Sequence, residues 1–261
     1  MPEGDSVYQV AAAMRPLLVD KALVSVTTRG GVVHPLFAGR RVDRVESRGK
    51  NLILYAGDHA IRVHLGMYGA WFTFRPEQPH RRRGRGPLSL ILVSEAVKLV
   101  CYHASRVELM PTHAVRAHKP IARLGPDLLD APDLDVVIAR SRRSPAPTVG
   151  ELLLDQAVAA GVGNIFKCET LFVQRLDPWT DPRRLEDAEL RAVYDKAREL
   201  LDRNRGDSER VTTGMDQRGL RLWVYGRRGP CLRCRAPVRA RKQGDDARRT
   251  WWCPRCQPAR G

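Results

Sequence analysis

The sequence predicts an α+β protein: an N-terminal helix feeding an antiparallel β-sandwich, then a helical region closed by a small metal-held β-hairpin. Three observations carry this. A helical apolar period opens the chain. About eight short β-branched or aliphatic runs, separated by turn signals, follow between residues 23 and 110. The last part returns to helical periodicity and ends in two Cys-x-x-Cys pairs. A chain of 261 residues has room for two cores and an appended module.

Asp5 is placed to cap a helix over residues 6–18, whose apolar positions are Val7, Val10, Met14, Leu17 and Leu18. The strands are expected at 23–28, 41–46, 52–55, 61–64, 71–74, 88–93, 97–102 and 107–110, a spacing that suits a sandwich or barrel. The stretch 111–147 is rich in Pro, Asp and Arg and reads as a connection with a short helix near 134–139. Next, a helix through Ala160 is broken by Gly161-Val-Gly163, and Asn164 is expected at the N-cap of a second helix. Such a unit is either a plain αα connector or a phosphate site, since the first N–H groups of a helix attract anions. Leu190, Val193, Tyr194, Ala197, Leu200 and Leu201 form one face of a further helix. The expected segments are thus 1–115, a linker at 116–147, a helical domain at 148–225 and a cysteine module at 226–261.

Cys231-Leu-Arg-Cys234 and Cys253-Pro-Arg-Cys256 are separated by 18 residues, within the zinc-site spacing of about 15–20. Four thiolates close a tetrahedral shell and leave no position for a substrate water, so the expected Zn²⁺ is structural. Between the pairs, a polar Gly-Asp-Asp turn puts Arg248 and Arg249 on a returning strand. Cys101 and Cys168 sit in apolar runs and read as buried thiols; Glu169 reads as a buried helix partner.

Lys plus Arg number 45 and Asp plus Glu 29, a net charge of +16. An excess of this size favours a polyanion as partner without choosing DNA or RNA; an arginine-rich genome is the alternative. The run HRRRGRG at 80–86 is either a solvated charge run or a phosphate contact. No stretch of about 18 apolar residues exists for a membrane helix. The acidic start lacks the basic region of a signal peptide, and the cysteine pattern suits a reducing cytoplasm.

The N-terminal Met-Pro-Glu says little as a tripeptide. If Met1 is removed, Pro2 becomes a secondary amine, and an α-amino group titrates near pH 8, so a useful fraction is nucleophilic at neutral pH. Attack on a sugar C1′ displaces the base and leaves an iminium ion, which acidifies the C2′ proton and promotes loss of the 3′ phosphate. Glu3 stands beside it as a proton donor or relay.

MPEGD, RGKNLIL, HLGMYGAW, LGPDLL, LLDQAVAAGVGNIFKCETLF and the CPRCQ ending together resemble the formamidopyrimidine-DNA glycosylase and endonuclease VIII family, over nearly the whole chain and in the family's order. The resemblance implies a helix–two-turn–helix domain with a C-terminal zinc β-hairpin finger, and a monomer that excises oxidised bases from damaged DNA, duplex or single-stranded, then cleaves the strand. It implies Pro2 as nucleophile, Glu3 as its acidic partner, Lys50 as a backbone contact near the lesion, and Asn164 and Arg248 as phosphate ligands. His64 opens the loop in which Met67 and Tyr68 fill the gap left by a flipped base, unless they pack at a strand end. Two departures stand out. Ser6 replaces a glutamate common in the family, and HASRVEL lacks the Arg-Arg-Phe of the formamidopyrimidine branch. With Tyr68, the second favours the endonuclease VIII branch and oxidised pyrimidines over oxidised purines. A non-catalytic DNA-binding protein of the same fold is the other alternative.

Overall fold

A computed structural model of the protein describes residues 1–80, 86–206, 209–215, 217 and 219–259. It divides into two compact units, Met1–Ala122 and Arg123–Gly261. Most of the 80–86 run lies outside the described residues.

The first unit opens with α1 (Gly4–Leu18), which buries Val7, Ala11, Met14 and Leu18 along one face. Its cap differs from expectation: Glu3, not Asp5, is the N-cap. Asp5 lies in the first turn, itself buried. The strands follow as β1 (Leu23–Thr28), β2 (Val32–Val33), β3 (Arg44–Arg48), β4 (Asn51–Ala56), β5 (His59–His64), β6 (Ala70–Phe74), β7 (Leu88–Ser94), β8 (Lys98–Tyr102) and β9 (Arg106–Pro111). All pairings among them are antiparallel. They form one sheet in the order β2-β1-β7-β8-β6 and another in the order β3-β4-β5-β9. Val26, Leu90 and Leu92 of the first sheet share a core with Leu52, Leu54 and Val63 of the second and with the buried face of α1. This is the sandwich its alternating runs predict. A short helix, α2 (Lys119–Ala122), ends the unit.

The second unit contains α3 (Leu134–Arg143), α4 (Val149–Leu154), α5 (Asn164–Val173) and α6 (Asp187–Arg203), then a hairpin of β10 (Arg239–Gln243) and β11 (Arg248–Trp252). α3 buries Leu134, Val137 and Ile138 in the same core as Leu190, Val193, Tyr194, Ala197, Leu200 and Leu201 of α6. The helix expected to reach Ala160 ends at Leu154. Side chains just beyond it take over the backbone's hydrogen bonds. Asp155 Oδ1 accepts from Ala157 N–H, and Gln156 donates to the Leu154 and Val162 carbonyls while accepting from Gly161 N–H. Such local bonds compete with helix continuation. Among the described residues no helix is long and apolar enough to cross a membrane.

Glu169, on α5, is fully buried and anchors the chain leading into the hairpin. Its carboxylate accepts from the backbone N–H groups of Trp223, Val224 and Tyr225 at 2.7–2.9 Å and from the Thr212 hydroxyl. Burial pushes this carboxyl up, and the four donors pull it back. Glu169→Ala should orphan those donors and lower the unit's stability by about 3–5 kcal/mol. Glu169→Gln should not rescue it: whichever way the amide is turned, its NH₂ faces a backbone N–H. Thermal unfolding of the two variants checks this; a Gln variant as stable as the parent would refute the reading.

Candidate nucleic-acid interface and metal centre

In the first unit the expected residues gather at two places. Pro2 and Glu3 stand at the start of α1. Glu3 is fully buried and forms a reciprocal capping box with Ser6. The Glu3 N–H donates to Ser6 Oγ at 2.9 Å, and the Glu3 carboxylate accepts the Ser6 backbone N–H. Pro2 is half-buried beside it. Ser6, where the resemblance implies a glutamate, is therefore here part of the cap.

The second place is the end of the β3-β4-β5-β9 sheet. Gly49, at φ +57°, makes the tight β3–β4 turn that presents Lys50. His64 lies opposite Asn51 of β4 and Arg106 of β9. Beneath them Arg62 is buried. Its Nε and Nη2 donate to Asn51 Oδ1 at 3.0 and 2.6 Å, and its Nη1 pairs with Glu108. His64 Nδ1 lies 2.8 Å from Ser105 Oγ. Burial pushes the His64 imidazole below its ordinary range, the cations Arg62, Lys50 and Arg106 push further, and Glu108 opposes them. In the following loop Met67 and Tyr68 are 50% and 74% exposed. Tyr68 makes an edge-on contact with His103, ring centres 6.5 Å apart. Both side chains stand open to solvent rather than packed at a strand end.

In the second unit Asn164 is the first residue of α5, and Gly163, in an extended conformation, is the N-cap. The expected cap is thus displaced by one residue, because the Asn164 amide is used elsewhere. Its Nδ2 donates to the Arg249 carbonyl at 2.8 Å. Its buried Oδ1 has no partner among the described residues. Helix and hairpin are thereby joined at the predicted phosphate site. Arg248 sits on β11 opposite Gln243, half-exposed, with its Nε 3.7 Å from Asp246. Lys167, fully buried, donates to Thr250 Oγ1 at 2.5 Å under the same strand. A cleft of about 600 Å³ is lined by Arg210, Arg221, Arg227, Arg228 and Tyr225, among others.

The sulphurs of Cys231, Cys234, Cys253 and Cys256 lie within 4.8 Å of one another. Closest are Cys234 to Cys253 at 3.5 Å and Cys231 to Cys256 at 3.9 Å, and none is in a disulfide. Burial pushes the Cys253 and Cys256 thiols up and the neighbouring thiols add to it. A cation between the four sulphurs favours their thiolate forms and offsets that penalty, so the donor set fits a metal ion. Cys168, Phe172 and Val224 pack around the cluster.

Sequence reasoning passed over Asn51, Arg62, Ser105, Lys167, Gln243 and Thr250. Arg62 and Lys167 each carried a signal, a lone cation inside an apolar run. Ser105 carried none.

Two family models match the chain: the formamidopyrimidine-DNA glycosylase N-terminal domain over residues 1–106, and the formamidopyrimidine-DNA glycosylase H2TH domain over residues 124–212. The DNA-(apurinic or apyrimidinic site) lyase Nei2 of Mycolicibacterium smegmatis is 38% identical, with 99% of this chain and all of the relative covered. The probable endonuclease 8 2 of Streptomyces coelicolor is 36% identical, with 98% of this chain and 94% of the relative covered. The fold is shared with Lactococcus lactis formamidopyrimidine-DNA glycosylase bound to abasic-site DNA. There the TM-score is 0.81 at 23% identity, covering 98% of this chain and 100% of that one.

The cluster predicts one metal ion per chain. Cys253→Ser should lose it, together with slow amide exchange in β10 and β11, since binding free energy at such a site is folding free energy. Metal analysis with hydrogen exchange checks both; a fully loaded Cys253→Ser protein would exclude the four-sulphur site.

Proposed function

The chain belongs to the formamidopyrimidine-DNA glycosylase and endonuclease VIII family, and on that premise we infer that it is a bifunctional DNA glycosylase and abasic-site lyase acting on oxidised bases. The observation that carries the reading is the start of α1: a proline directly before a fully buried glutamate that is locked by its own capping box. The endonuclease 8 names of its relatives and the missing Arg-Arg-Phe favour oxidised pyrimidines as substrates.

We assign the roles as follows. With Met1 removed, the Pro2 amine attacks C1′ of the damaged nucleotide, and the bond to the base breaks with the electron pair leaving on the base. Glu3 supplies the proton this departure needs, to the base or the sugar ring oxygen. The attacking nitrogen gives up its proton, the C1′–O4′ bond opens with its pair and a proton going to O4′, and the resulting iminium withdraws electrons; C2′ then loses a proton, and the 3′ phosphate leaves with the C3′–O bonding pair. Lys50 and His64 in the first unit, and Asn164 and Arg248 in the second, hold phosphates. Exposed Met67 and Tyr68 fill the stack when the base is extruded. The four cysteines hold a structural Zn²⁺, whose closed shell supplies folding energy and no chemistry. Six unpaired cysteines support a reducing, cytoplasmic setting.

Borohydride reduction in the presence of abasic DNA should trap a covalent adduct on Pro2, once mass spectrometry shows Met1 absent. A variant that retains Met1 should give none, because its Pro2 nitrogen is an amide. Glu3→Gln keeps an acceptor for the cap, and should slow base excision by about 10²–10⁴-fold while leaving abasic-site trapping largely intact. Absence of any adduct from the processed protein would sink the mechanism.

A further inference from the structure

Ser105 makes two contacts with His64, and together they fix which ring nitrogen carries the proton. Its hydroxyl lies 2.9 Å from the His64 carbonyl oxygen, which can only accept, so the hydroxyl proton is committed there. The same Oγ lies 2.8 Å from His64 Nδ1. With its proton spent, Oγ can only accept, and Nδ1 must be the N–H. In the neutral ring Nε2 then holds a lone pair, which cannot donate to a phosphate oxygen. The arrangement is tight because position 66 is glycine, at φ +68°; a Cβ there would lie 2.8 Å from Ser105 Cβ.

We propose that Ser105 is a positioning residue that holds His64 in its Nδ1–H form, so that a DNA phosphate is bound at His64 only with uptake of one proton at Nε2. This rests on the reading of His64 as a phosphate contact. The charged groups facing the ring are Arg62 on its own strand, Lys50 in the β3–β4 turn, and Arg106 and Glu108 on β9. Burial first, then the three cations, push the free ring toward its neutral form, with Glu108 opposing them. A phosphodiester brings a negative charge to Nε2 and reverses the balance. The sign follows from linkage: the bound state holds more protons than the free state. Affinity is greatest at low pH and falls as pH rises above the free-state pKa of His64, by up to about tenfold per pH unit, until the bound-state pKa is passed.

The test uses the full chain and a duplex carrying a reduced, uncleavable abasic site. Affinity is measured from about pH 5.5 to 8.5, and protons taken up are counted by calorimetry in buffers of different ionisation enthalpy. The expected result is a parent protein that takes up about one proton more than His64→Gln, whose side-chain amide donates at any pH. Ser105→Ala keeps the Cβ that packs on Gly66 but frees the tautomer, so its neutral ring can donate from Nε2 and its excess proton uptake should vanish. Ring ¹⁵N shifts of the DNA-free parent should show the Nδ1–H form. Tight binding with the same proton count in parent and His64→Gln overturns the proposal while leaving the glycosylase reading intact, as does an Nε2–H ring in the free protein. No binding at any pH overturns the DNA reading itself, and the proposal with it.

Discussion

Lys167 carries its ammonium group into the fully buried interior of the second unit, and a charge in that position must be met by oxygen atoms. Thr250 Oγ1 is 2.5 Å away on β11, and Gln243 Oε1 is 3.5 Å away on β10. The Gln243 amide donates in turn to Thr148 Oγ1 and the Pro178 carbonyl, at 2.9 and 2.8 Å. The hairpin cannot slide along α5 without stripping these oxygens from the charge. That fixes the two places where the hairpin meets the proposed phosphate site, the Arg249 carbonyl on Asn164 and the side chain of Arg248. The four-cysteine cluster and the Glu169 carboxylate hold the rest of the module, each from a different segment of it. A small hairpin with almost no apolar core of its own is thus positioned by buried polar groups, and each has a partner whose loss would leave a charge or donor unmet.

The first unit solves a related problem in the opposite way. Three cations, Lys50, Arg62 and Arg106, stand around His64 near one sheet end. One of them, Arg62, is buried, and it is neutralised within the protein by Glu108 and fixed by Asn51. It is a paired charge held under the surface by Asn51 and Glu108. Lys50 and Arg106 are the other two cations acting on the His64 ring, and Glu108, paired with Arg62, is the carboxylate that opposes them. A charge excess of +16 is spread over the whole chain, but at this sheet end the excess is focused by buried architecture. Focusing raises the local potential more than the same charges would on a solvated face.

The strands were legible because each alternates or is apolar enough to declare its inward face, and the eight expected runs each overlap an observed strand. The α6 face was legible for the same reason, at a period of 3.6. The misreadings have one physical cause, side chains that bind backbone. Asp155 and Gln156 fall inside a run read as helix through Ala160, yet they end α4 by satisfying the backbone of the loop after it. Asp5 looks like a cap, but the helix starts two residues earlier, where Glu3 accepts the Ser6 N–H and Ser6 returns the bond. Asn164 looks like a cap, but its amide goes to a strand 85 residues away in sequence. No local window contains that partner. The cysteine cluster was readable from spacing alone, because metal geometry restricts ligands in a way that hydrogen bonds between distant segments do not.

Ser6 shows how a departure from a family pattern can preserve one function and shed another. A glutamate three residues into a helix accepts the backbone N–H of the cap residue, the usual second half of a capping box. Ser6 Oγ does the same at 2.9 Å. It also lies 3.2 Å from the Glu3 carbonyl and 3.3 Å from Asp5 Oδ1, so its proton has two acceptors within the first turn. The mechanical role of the position, keeping Glu3 fixed beside Pro2, is therefore intact. What serine cannot supply is a carboxylate at this position; the nearby one is Asp5, one residue earlier. On the proposed mechanism the proton lost from C2′ passes to Glu3, once Glu3 has given up its own to the departing base. A single carboxylate serving both steps makes them sequential, since it becomes a base for elimination only after acting as an acid in excision. The abasic site, which has no base to expel, bypasses the first of these steps and meets Glu3 under a different proton inventory.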